Sequence, residues 1–132
     1  MKQESENHIR HRCYILGILL IVIAAGLYSR STYPLFAFLK AYGGDVLWAV
    51  MMYLGFAFVF ARRKPITVFM ISLIFCYLIE SSQLLTMPWL VELRTTGWRY
   101  LLGQGFLWSD VICYSVGCAL AFAVDTRIWY KR

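Results

Sequence analysis

Six side chains in this sequence could do chemistry together: Asp45, Glu80, Gln83, Arg94, Asp110 and Arg30. Glu80 and Gln83 are three residues apart and share a face if the segment is helical. Asp110 and Tyr114 repeat that relation at four residues. Carboxylates, an amide and arginines in one place suit two kinds of chemistry. They can hold a polar head group, the arginines gripping phosphate or carboxylate through a fork of donors. Alternatively, Glu80 or Asp110 can act as general acid or base in a membrane-embedded enzyme. Binding is the preferred expectation, because no Ser, Cys or His stands in a recognisable nucleophile motif beside a base. The ligand-binding candidates are therefore Arg30, Asp45, Trp48, Glu80, Gln83, Arg94, Asp110 and Tyr114.

The element carrying Glu80 sharpens this expectation. Ile66–Leu85 runs twenty residues with one carboxylate and no base. About 20 apolar residues suffice for a helix to cross a bilayer. A carboxylate at the centre of such a segment costs ~2.5–3.5 kcal/mol on insertion scales, so Glu80 calls for partners. Hydrophobic residues make up 61% of the 132-residue chain and charged residues 15%, against roughly 45–50% apolar in soluble domains. The apolar residues also fall in blocks. The expected class is an all-α polytopic membrane protein.

Four spans are expected. Cys13–Tyr28 is the first, read as a retained helix because no small-x-small cleavage site follows it. Asp45–Ala61 is the second, Ile66–Leu85 the third and Phe106–Val124 the fourth. Residues 1–12 form a polar tail, and 13–132 a single transmembrane domain. Arg62-Arg63-Lys64-Pro65 stops the second helix, and Pro65 suits the start of the third. Thr86–Gly105 carries Trp89, Leu90, Leu93 and Trp98 beside Glu92, Arg94 and Arg99. It is expected to lie on the outer membrane face as an amphipathic segment between the third and fourth helices.

Lysine and arginine counts set the orientation. With the N-terminus inside, nine fall on the inner side: Lys2, Arg10, Arg12, Arg62, Arg63, Lys64, Arg127, Lys131 and Arg132. Four fall outside: Arg30, Lys40, Arg94 and Arg99. Both termini are expected in the cytoplasm. The candidate residues then gather in one outer layer, and the inner ends show no comparable gathering. Membrane lipids or an envelope precursor are the expected partners. A conduit through four short helices would need an oligomer or a partner membrane protein. The +6 charge is read as cytoplasmic loop charge, not as a nucleic-acid surface. Cys13, Cys76, Cys113 and Cys118 lie in or beside apolar runs without C-x-x-C spacing, so free thiols are expected. No metal site or cofactor is expected.

Gly44-Asp45-Val46-Leu47-Trp48, Ile79-Glu80-Ser81-Ser82-Gln83-Leu84, Trp89…Leu93-Arg94 and Leu102-Gly103-Gln104-Gly105-Phe106-Leu107-Trp108-Ser109-Asp110 through Gly117 resemble a family of small bacterial membrane proteins known only as a domain of unknown function. More distantly, the chain resembles the VanZ-like proteins, named for a teicoplanin-resistance protein. Glu80, Gln83, Arg94, Asp110 and Gly117 fit the Glu-x-x-Gln, Arg, Asp-x-x-x-Asn-x-x-Gly pattern of that group. Tyr114 stands where its Asn would be, and Asp45 is not followed by its Asp-Lys-x-x-His. The resemblance implies a bacterial inner membrane and a shared outer-face site.

Overall fold

The computed structural model describes residues 2–29, 42–98 and 106–130. It is all-helical among those residues. The helices are α1 (Lys2–Ser29), α2 (Gly44–Val59), α3 (Pro65–Ser82), α4 (Pro88–Thr95) and α5 (Trp108–Tyr130). Three of them contain stretches long and apolar enough to cross a membrane: His11–Tyr28, Pro65–Ser82 and Trp108–Arg127. α2 is apolar but has sixteen residues, or ~24 Å at 1.5 Å per residue. By length and composition these helices point to a membrane protein.

Local signals account for the boundaries. Lys64 is extended and Pro65 opens α3, while Met87 is extended and Pro88 opens α4. Proline fits the first turn because its missing N–H would have no intrahelical partner there. The exposed Arg62-Arg63-Lys64 turn is closed by Arg63 N–H donating to Phe60 O at 2.8 Å. Several expected boundaries moved: α2 ends at Val59 and not Ala61, and α5 starts at Trp108 and not Phe106. α3 ends at Ser82 and not Leu85, and Leu84 and Leu85 instead make tight turn bonds to Ser81 O and Ser82 O. α5 runs on through Asp125, beyond the expected end at Val124. α1 starts at Lys2, so the polar residues before Cys13 continue the same helix.

α2, the shortest of the four long helices, is the hub: it packs against α1, α3 and α5. α3 and α5 run antiparallel in a fixed register, with Tyr77 and Ser115 hydroxyls 2.6 Å apart and the Phe69 and Phe122 rings 5.1 Å apart. The core forms two layers. One holds Ile15, Tyr53, Leu54, Ala57, Val68 and Ala121. The other, nearer Glu80, holds Trp48, Ala49, Cys76, Tyr114 and Cys118.

The outside is apolar and the inside is unusually polar. Ile21, Ile74, Leu78, Ile112 and Leu120 are exposed, whereas Ser72, Glu80, Gln83 and Asp125 are buried. That distribution suits lipid, where the exterior gains nothing from charge and polar groups retreat to partners inside. Ser72, Ser115 and Thr126 return their hydroxyls to carbonyls four residues back, which satisfies them without water. All four cysteines are free, with Cys13 exposed and the others buried.

Candidate functional site

Glu80 sits in the last turn of α3 and is 1% exposed. Its Oε2 accepts from Gln83 Nε2 at 3.0 Å, the i,i+3 pair read from the sequence. Its Oε1 accepts from the backbone N–H of Leu107 at 2.9 Å. Leu107 immediately precedes α5, so the carboxylate reaches the positive end of that helix. The Tyr114 hydroxyl, in the second turn of α5, also lies close to Glu80. One carboxylate thereby ties the end of α3 to the start of α5. Bonds to an ionised acceptor are about twice as strong as neutral ones.

α2 closes the third side. Asp45 lies in its first turn, and the helix has no side-chain cap. The Asp45 carboxyl instead comes within hydrogen-bonding reach of Asp110 on α5. Trp48, one turn on, stacks on Tyr114 with ring centroids 4.9 Å apart. Both rings are buried. The other side of Trp48 faces an apolar cavity of ≈ 120 Å³ between α1 and α2, bounded by Val22, Gly26, Leu47 and Met51. Asp45, Trp48, Glu80, Gln83, Asp110 and Tyr114 are thus brought together from three helices.

Arg94 contacts the backbone at the end of α3 and not Glu80. It lies in the last turn of α4, and its guanidinium donates to Ser82 O at 2.5 Å and Leu85 O at 3.2 Å. These are carbonyls at the end of α3, where a cation is favoured by the helix dipole. An ion pair with Glu80 is not among its contacts. Its Nε–H is buried without a hydrogen-bond partner among the described residues. Arg30 lies outside the described residues. α4 is anchored by buried Leu90, and its Trp89 is exposed, as is Trp98 beyond it.

A second polar cluster, at the other end of the bundle, has no counterpart in the sequence reading. Tyr53, fully buried on α2, donates its hydroxyl to Asp125 Oδ2 on α5 at 2.8 Å. His11 of α1 is 8% exposed, although its surroundings in sequence are those of a solvated tail. The signal available was the helical spacing of Asp110, Tyr114, Cys118 and Asp125, which puts Asp125 on the interior face of α5.

The site chemistry is acceptor-rich: three carboxyls, one amide, one phenol and one indole, with an arginine at the edge. Among the described residues no group of three or more His, Cys, Asp or Glu side chains could hold a metal ion. A family described as "Protein of unknown function (DUF2809)" matches residues 35–118. No solved structure matches the chain.

Proposed function

The chain belongs to the DUF2809 family, and from that premise we propose that it is a bacterial inner-membrane protein that binds a lipid or cell-envelope head group at the Glu80 end of its bundle. The observation that carries the reading is a 1%-exposed carboxylate held by donors from α3 and α5 beside the Asp45–Asp110 pair. Such a group inside a membrane protein marks a functional site by default. Two further features support a ligand with both a head and a chain. Arg94 keeps a buried, unpartnered Nε–H, which an acceptor oxygen of a head group would satisfy. Trp48 walls both the polar cluster and the apolar cavity between α1 and α2, so a chain has somewhere to lie. Glu80 acts here as a fixed acceptor, each of its oxygens held by one donor. The pattern shared with the VanZ-like proteins supports an envelope role.

In this reading α1, α2, α3 and α5 all cross the membrane, and α4 lies on its outer face with Trp89 exposed to the interface. The nine-to-four split of basic residues supports cytoplasmic termini. A cysteine at Lys64, on a background without the four native cysteines, is expected to resist an impermeant maleimide in intact cells. It should react once the membrane is permeabilised. Labelling in intact cells reverses the topology.

Ligand binding is tested by native mass spectrometry of the full chain released from gentle detergent. The wild type is expected to carry a co-purified amphiphile. Arg94→Gln should keep its thermal transition within a few degrees and lose that adduct. An Arg94→Gln protein that keeps the adduct undamaged removes Arg94 from the site, and a wild type that carries none overturns the reading.

A further inference from the structure

The end of the bundle opposite Glu80 contains the larger of the two described cavities, ≈ 160 Å³ between α1, α2 and α5. Cavities of about 150 Å³ with apolar walls hold a benzene-sized group. Its walls are apolar, among them Ile15, Ile18, Leu54 and Ala121, and its rim includes the exposed Tyr14, Leu120 and Val124. Exposed rim residues on α1 and α5 mean that it opens sideways, toward the surface that faces lipid. Two polar residues reach it, His11 and Asp125, each more than nine-tenths buried. An apolar cavity with a few convergent polar groups is the usual form of a small-molecule site.

From this arrangement we infer a second binding site, which takes a neutral amphiphile with a hydroxyl head, a long-chain or isoprenoid alcohol. The chain lies along Ile18, Leu54 and Leu120, and the hydroxyl sits between His11 and Asp125. The chemistry selects the head. One Asp125 oxygen is held by Tyr53, and a carboxylate retains further acceptor capacity. An alcohol donates its O–H to that carboxylate. An anionic head would meet Asp125 as a like charge. A cationic head would sit at the end of the bundle that carries Arg12, Arg62, Arg63, Lys64 and Arg127. The site is independent of the Glu80 cluster: they share no residue and lie at opposite ends of α5.

The test is photolabelling of the full chain, in phosphatidylcholine vesicles, by a long-chain alcohol carrying a mid-chain diazirine. Labels are expected on α1 and α5 around Ile18 and Leu120. Excess unlabelled alcohol should displace them, and the matching fatty acid or alkylamine should not. Leu120→Trp fills the cavity from an exposed position, so the fold is kept. Tyr53→Phe/Asp125→Leu removes both partners of the buried bond, which is tolerated better than orphaning one. Each is expected to cut labelling about tenfold or more, the worth of a lost hydrogen bond to a charged group. Tyr53→Phe alone should leave labelling near that of the wild type. Equal displacement by acid or amine, or labelling unchanged in Leu120→Trp, overturns the inference.

Discussion

Gly117→Ala is expected to destabilise the bundle, although alanine is the better helix former. A Cβ built on Gly117 falls 2.5 Å from Val46 O and 2.8 Å from the Ala49 Cβ. Neither neighbour can rotate aside, because one is backbone and the other is a methyl fixed to it. α5 must therefore move away from α2, the helix that touches all the other long ones. Overpacking of this kind costs ~1–3 kcal/mol, against about 1 kcal/mol gained from helix propensity. The clash wins, and Gly117→Val should be worse. Gly55 provides the control, since nothing lies within 4 Å of its Cβ position. Gly55→Ala should be neutral or slightly stabilising. The buried thiols Cys76, Cys113 and Cys118 report unfolding through a thiol-reactive dye during a thermal ramp. Equal transition temperatures for Gly117→Ala and Gly55→Ala would contradict the packing seen between α2 and α5.

Glu80→Leu is expected to have the largest effect of any single change at this end of the bundle. Leucine is close in size and belongs in a membrane, so hydropathy alone predicts a gain. The hydrogen bonds predict a loss. Leu107 N–H and Gln83 Nε2 donate to Glu80, with the Tyr114 hydroxyl close by, and a buried donor left without an acceptor costs ~1–3 kcal/mol. A total of several kcal/mol is comparable with the whole stability of many domains. Glu80→Gln keeps one acceptor oxygen but aims its amide N–H₂ at one of those donors. It should fall between wild type and Glu80→Leu. Tyr114→Phe removes one donor and should cost about 1 kcal/mol. The order wild type, Tyr114→Phe, Glu80→Gln, Glu80→Leu is read from urea or thermal unfolding in one detergent. A Glu80→Leu protein as stable as the wild type would mean that the carboxylate does not hold α3 to α5.

The sequence by itself determined the helical class and which residues share a helix face. Glu80 with Gln83 needed only a spacing of three, and the pair is hydrogen-bonded as that spacing implies. Pro65 and the basic turn before it located the start of α3 to within a residue. These are properties of one helix, set by 1.5 Å and a fraction of a turn per residue. Tertiary structure decided everything that passes between helices. Arg94 lies on the end of α3 and bonds its carbonyls, because α4 brings the guanidinium to Ser82 and Leu85 rather than to the buried Glu80. That contact also accompanies the early end of α3. The Tyr53–Asp125 bond joins residues 72 apart, and His11 is buried within a stretch of polar neighbours. Neither contact is legible in the chain, because spacing can place a polar residue such as Asp125 on an interior face but does not show which neighbour it meets. Hydropathy therefore marks where a helix lies without showing which side meets which neighbour, and only the packed bundle fixes that register.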